Sequence, residues 1–334
     1  MSDDKDFHAK VIEALSSSPH DDRLLRSLIT LEAEHHDQVH RNHLLADLVN
    51  RYAEAERQLV KANELLRERQ ARLDEDLLAA AAIQTALLPK PLPPGIGVIT
   101  SWQFAPCEKI GGDVLLVNRL GDHHLMMAMI DVTGHGVPAA MVTVSVSQFL
   151  QPGNGKVFAG GDEERTMVVP PHVVLEEMDR EFPFERFDRP FSIFYAVLDL
   201  ATGEFRYSNG GHPRPYFLPR IGETTKLDVS GTLVGLGLDP EFPEDSFTMR
   251  AGDRLFLYTD GLSECRDSHN NYYGEPRIME KLTGNRHRPI PEVVDLIWED
   301  AVNFASGGPF QDDCSIFGLE YSPGGTHQVF PIPS

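Results

Sequence analysis

The chain has 334 residues, 41% of them hydrophobic, and a formal net charge of -21 from 51 acidic and 30 basic residues. That length allows one large domain and a smaller one, and the acidity argues against nucleic acid or an anionic membrane as a partner, because both are bound by an excess of Lys and Arg. Cys107, Cys265 and Cys314 form no CxxC pair and no even disulfide framework, which fits free thiols in a reducing cytoplasm. The charged start, Met1 to Lys10, has no apolar signal core, and no apolar run approaches the ~18 residues of a membrane span. A soluble cytoplasmic protein is expected.

Residues 1–88 contain no glycine and a single proline, Pro19, a composition that predicts helix. Ser18-Pro19-His20-Asp21-Asp22 reads as a turn and helix start. Apolar or small residues then alternate at steps of three and four: Leu45, Leu48, Tyr52, Ala55, Leu59, Ala62, Leu66, then Leu73, Ala80, Ile83 and Leu87. This heptad seam predicts a coiled coil, interrupted at Arg69 and Asp76. A seam of about 43 residues would be roughly 65 Å long as a helix, more than one domain covers, which favours a dimerising coil over a core helix. His36, His40 and His43 share one helical face; a solvated polar face is expected there, with zinc binding at i, i+4 the alternative.

Pro89, Pro91, Pro93 and Pro94 end the helix. Beyond them short β-type runs appear at Val98–Phe104, Val114–Leu120, His124–Asp131, Ser192–Asp199, Glu204–Ser208, Arg214–Leu218, Asp245–Met249, Arg254–Thr259 and Cys314–Tyr321. Helices are predicted at Pro138–Leu150, Pro171–Glu181, Glu275–Thr283 and Ile290–Phe304, with a polar loop at 159–164. The order of elements favours α+β, with antiparallel sheets covered by helices, over a doubly wound parallel sheet. The expected division is a helical regulatory segment at 1–44, a coiled-coil and switch helix at 45–88, a main domain at 89–322 and an irregular tail at 323–334.

Acidic residues recur in that main domain in a fixed order: Gly111-Gly112-Asp113, Asp131-Val132-Thr133-Gly134-His135-Gly136, Asp199, Tyr258-Thr259-Asp260-Gly261 and Asp312-Asp313. Most of them begin or end apolar runs. A carboxylate at the end of an apolar strand is unfavourable unless it is solvated, paired or bound to a cation. A single Asp-Gly is ordinarily a turn, but several such strand ends brought together make a site of oxygen ligands for a hard cation.

At these residues the chain becomes familiar. Ile110–Asp113, Asp131–Met141, Phe194–Asp199, Tyr207–Pro213, Gly252–Glu264 and Asp312–Ser315 resemble, in order, the SpoIIE/RsbU-type phosphatases, bacterial relatives of protein phosphatase 2C in the metal-dependent protein phosphatase family. Ala82–Pro89 is similar to the Ile-Gln-x-x-Leu-Leu-Pro stretch that precedes that domain, so the resemblance covers about residues 80 to 321. It implies an α-β-β-α sandwich of two antiparallel sheets and a site for two Mn²⁺ or Mg²⁺ ions. Carried over, Asp131 would bridge both ions, Asp113 and the carbonyl of Val132 would serve one, and Asp260 and Asp312 the other, with Asp113 and Asp131 central to catalysis. Asp313 is the alternative to Asp312. The implied reaction is in-line attack on a phosphoserine or phosphothreonine by a hydroxide generated between the cations. The implied substrate is a STAS-type anti-anti-sigma protein in a partner-switching pathway, with an upstream activator acting on the N-terminal helices of a homodimer. Leu116 departs from the family pattern Gly-Gly-Asp-x-x-Asp and puts an outer contact or a weak extra metal site in question.

Gly111-Gly112-Asp113 also opens a diguanylate cyclase signature, but Val114-Leu115 replaces the Glu-Phe that would follow. His135 and His212 lie in glycine-flanked turns and are expected to hold those turns, since an all-carboxylate site selects hard cations. Glu264 is either near the metals or a solvated charge. The rival functions are a pseudophosphatase scaffold and a hydrolase of a small phosphorylated metabolite.

Overall fold

The computed structural model of the chain describes Lys10, Glu13 and residues 22–93, 95–159, 167–237, 240–308 and 310–323. They fall into two compact units, one reaching Glu75 and the other starting at Asp76. One helix, α1 (Asp22–Thr85), runs through both. It contains neither Gly nor Pro, and i, i+4 ion pairs such as Asp37–Arg41 at 3.2 Å and Asp47–Arg51 at 2.9 Å lie on its surface. The seam residues Leu45, Leu48, Tyr52, Leu59, Leu66 and Leu73 are all exposed on it, as are His36, His40 and His43. The residues of the turn expected before Asp22, the polar loop beyond Ala159 and the tail beyond Pro323 lie outside the described residues. No helix among the described residues is long and apolar enough to cross a membrane.

The second unit continues with β1 (Val98–Ala105), β2 (Val114–Leu120), β3 (His124–Val132), α2 (Gly136–Phe149), the two-residue strands β4 (Phe158–Ala159) and β5 (Met167–Val168), α3 (Pro171–Glu181) and α4 (Phe184–Phe187). There follow β6 (Phe191–Asp199), β7 (Glu204–Gly210), β8 (Tyr216–Leu218), β9 (Thr225–Lys226), β10 (Glu244–Thr248), β11 (Arg254–Tyr258), α5 (Asp260–Ser263), α6 (Glu275–Gly284), α7 (Ile290–Phe304) and β12 (Cys314–Tyr321). Two five-stranded sheets have the orders β1-β12-β11-β8-β9 and β10-β7-β6-β3-β2, and the strand pairs within them are antiparallel. The strand expected from Arg214 begins only at Tyr216, because Pro213 and Pro215 lack the N–H a ladder needs. The two-residue strands β4, β5 and β9 and the four-residue helices α4 and α5 went unpredicted because they are too short to show a period.

Side-chain alternation divides the strands between two cores. Leu115, Val117, Met127, Met129, Phe194 and Ala196 meet Leu255, Leu257, Phe317 and Leu319 between the sheets. Val114, Leu116, Ala128, Ile130, Ile193 and Tyr195 face the other way, against Val142 and Val146 of α2 and Val174 and Met178 of α3. Outside the other sheet, Phe256, Tyr258 and Ile316 pack on Ile278, Val293, Val294 and Ile297 of α6 and α7. The result is the expected α-β-β-α sandwich.

Candidate metal centre

Antiparallel register brings the acidic motifs to one place. Val114, the first residue of β2, pairs with Ile130 near the end of β3, so Asp113 and Asp131 lie at the same end of their sheet. Tyr258, the last residue of β11, pairs with Ile316 near the start of β12, so Asp260 and Asp312-Asp313 lie together at an end of the other. Thr259 fastens that second pair: its N–H donates to the Ser315 carbonyl at 3.1 Å, and its hydroxyl oxygen accepts from Ser315 N–H at 2.9 Å.

The two sheets are joined at the site. The Ser315 hydroxyl donates to Asp113 Oδ2 at 2.7 Å. Asp313 Oδ1 accepts from Cys107 N–H at 2.8 Å, and Asp313 Oδ2 accepts from the N–H groups of Gly112 at 2.5 Å and Asp113 at 3.4 Å. The Asp313 carboxylate is thereby engaged with backbone donors, while Asp312 is exposed and its Oδ1 accepts from Asp313 N–H at 2.8 Å. Cys107, Asp312 and Asp313 offer ligand atoms within 4.8 Å of one another, the group of that kind found among the described residues.

The Gly-Gly-Asp loop has no room for side chains. A Cβ on Gly111 would overlap the Asp313 carboxylate, and one on Gly112 would stand 2.6 Å from Val132 O. The Thr143 hydroxyl of α2 donates to Gly112 O at 2.6 Å. Gln84, from the last turn of α1, is buried and bonds Gly111 through both ends of its amide.

The electrostatics are those of crowded, largely buried carboxylates. Burial, then the carboxylates of Asp260, Asp312 and Asp313, push Asp131 up to about 7. Burial, then Asp131 and Asp313, hold Asp113 well above the usual carboxylate range, against the opposing hydroxyls of Ser315 and Thr259. Asp260 is raised by burial, then by Asp312 and Glu264; Glu264 is thus an exposed charge near the cluster. Burial and Asp313 raise the Cys107 thiol to about 12, so it offers no thiolate nucleophile.

Other residues singled out in the sequence lie elsewhere. Asp199 does not join the cluster. It pairs with His124 at the far end of β3 and accepts from the N–H groups of Ala201 and Thr202 in a turn. Leu116 is buried among the side chains facing α2 and α3, so it leaves no gap at the carboxylates. His212 is buried against the Ser192 hydroxyl at 2.8 Å, and burial lowers it to about 3, so it stays neutral. His135 is exposed and pairs with Glu108 at 2.9 Å. Gln84, Thr259 and Ser315 stood inside recognised stretches without a pattern that marks their roles, and Arg189 at the rim stood outside all of them.

A family model described as Stage II sporulation protein E (SpoIIE) matches residues 121–322, more than half of the chain. Protein IcfG of Synechocystis is 26% identical over 258 residues, 71% of this chain and 40% of that protein. The phosphoserine phosphatase RsbP of Bacillus subtilis is 27% identical over 194 residues, 57% of this chain and 45% of that protein. The chain thus spans less than half the length of either relative. The SiaA-PP2C domain of Pseudomonas aeruginosa has the same fold, with a TM-score of 0.62 at 19% identity over 76% of this chain and 98% of that one.

Proposed function

The chain belongs to the SpoIIE family, and on that premise we propose that it is a metal-dependent protein serine/threonine phosphatase with a site for two Mn²⁺ or Mg²⁺ ions. The observation that carries this reading is the convergence of Asp113, Asp131, Asp260, Asp312 and Asp313, where burial first and mutual repulsion second raise Asp113, Asp131 and Asp260. Such a cluster is costly in its charged form unless cations compensate it, and an all-oxygen donor set suits hard divalent ions. Asp131 would serve both ions, Asp113 and the Val132 carbonyl one, and Asp260 and Asp312 the other. Asp313 is assigned to seating the Gly-Gly-Asp loop, because its oxygens already accept from Cys107, Gly112 and Asp113.

Bound there, the ions would lower the pKa of a water and offset charge on the phosphoryl oxygens. The chain's own part is to hold the carboxylates in register. Ser315 and Thr259 orient Asp113, and Asp131, raised to about 7, must give up its proton as a ligand. No side-chain nucleophile is required.

The substrate class follows from the resemblance and from the phosphoserine phosphatase among the relatives: a phosphorylated STAS-type anti-anti-sigma protein in a cytoplasmic partner-switching pathway. The exposed seam of α1 suits a homodimeric coiled coil. Its end suits an activator-driven switch, since Gln84 is bonded to the loop that carries Asp113. Hydrolysis of a phosphoserine STAS-type protein with and without Mn²⁺, by the native chain and by Asp131→Asn, tests the reading. Metal-dependent activity that the substitution abolishes is expected. Turnover of small phosphorylated metabolites alone, or Mn²⁺ binding without any hydrolysis, would sink it in favour of a metabolite hydrolase or a scaffold.

A further inference from the structure

The loop that follows Asp131 is gripped from outside the carboxylate cluster. Thr133 N–H donates to the Pro190 carbonyl at 3.1 Å, and the Thr133 hydroxyl donates to the same oxygen at 2.7 Å. Arg189 Nη1 donates to the Thr133 carbonyl at 2.8 Å. A Cβ on Gly134, where φ is +86°, would stand 2.5 Å from that nitrogen. Among the described residues Arg189 forms no ion pair, and its guanidinium donates to a carbonyl beside the cluster.

We infer that Arg189 is a positioning residue that aims the Val132 carbonyl by fixing the peptides that follow it. This rests on the reading of Val132 O as a metal ligand. In a planar trans peptide the N–H and C=O point in opposite directions. Binding Thr133 N–H to Pro190 therefore turns Val132 O away from Pro190, toward Gly112, where an added Cβ would meet it at 2.6 Å. The next peptide, Thr133–Gly134, has glycine on one side and would rotate readily. The guanidinium holds its carbonyl and so keeps the preceding peptide from following. Arg189 and Pro190 thus act as one bracket just before β6.

The sign of the effect separates this role from simple charge. A cation that merely sits near two dications repels them, so its removal would tighten metal binding. A bracket that aims a ligand does the opposite. Calorimetric titration of the full chain with MnCl₂ reads the difference, using the native protein, Arg189→Met, Arg189→Lys and Asp131→Asn, with metal-free thermal melts alongside. The expected result is a 10- to 100-fold weaker affinity for one ion in Arg189→Met, about the usual loss for a residue that orients a ligand, with the second ion unaffected. Arg189→Lys, which keeps the charge and a donor but not the planar fork, should recover part of it. Unchanged or tighter binding in Arg189→Met overturns the inference while leaving the metal centre intact. No Mn²⁺ binding by the native chain overturns both readings. If the methionine variant does not fold, native-like affinity in Arg189→Lys counts against the inference and intermediate affinity supports it.

Discussion

Gln84 and Gly111 are joined by two hydrogen bonds: Gln84 Nε2 donates to the Gly111 carbonyl at 2.6 Å, and Gly111 N–H donates to Gln84 Oε1 at 3.0 Å. The Gly111 peptide is thus enclosed between the last turn of α1 and the Asp313 carboxylate, which a Cβ at this glycine would strike. A movement of the helix end would reach Asp113 through two residues of backbone. Replacing Gln84 by Ala leaves a buried N–H and C=O unpaired, at about 1–3 kcal/mol per group. The expected outcome is a lower melting temperature together with a changed unstimulated rate of phosphoprotein hydrolysis. A variant that matches the native chain in both would remove this link from the switch.

Leu116 is buried in the core between its sheet and helices α2 and α3. Restoring an acidic residue by Leu116→Asp should therefore not improve the metal centre. It should destabilise the fold by about 3 kcal/mol or more, the size of a buried unpaired charge. Urea denaturation measures this; a stable variant with tighter Mn²⁺ binding would show that the position faces the ions after all.

Acidity links folding to metal binding. Asp131 is raised to about 7, and Asp113 and Asp260 are raised as well. Folded-state values above the unfolded ones, near ~3.9, mean that the metal-free folded protein holds more protons than the unfolded chain. Their contribution is fully present below the unfolded pKa and is lost as pH rises through about 7. Divalent ions compete with those protons. The rise in melting temperature on adding Mg²⁺ should be larger at pH 8 than at pH 6, and calorimetry showing equal rises would contradict the assignment.

The seam on α1 gives a prediction that leaves the site alone. Leu48 and Leu59 are 63% and 64% exposed, so replacing both with Asp costs a single chain little. If two copies pair along this seam, the double variant should shift from dimer to monomer in sedimentation while keeping native Mn²⁺ affinity. A native chain that sediments as a monomer over the micromolar range would remove the coiled coil.

The sequence by itself determined the longer elements and set acidic residues at strand ends. Alternation marked Val114–Leu120 and Cys314–Tyr321 to the residue, proline and period marked Pro171–Glu181 and Ile290–Phe304, and acids at strand ends pointed to a hard cation. These are local signals, carried by neighbours a few positions apart. Tertiary structure alone decided which acids meet. It left Asp199 in a distant turn, turned Leu116 into the core, and bonded the Asp313 carboxylate to Gly112 across 201 positions of sequence. Gln84 and Arg189 gained their roles in the same way, from partners 27 and 56 positions away. Their side chains satisfy backbone groups of loops, and no periodic pattern encodes which loop will lie beside which strand end.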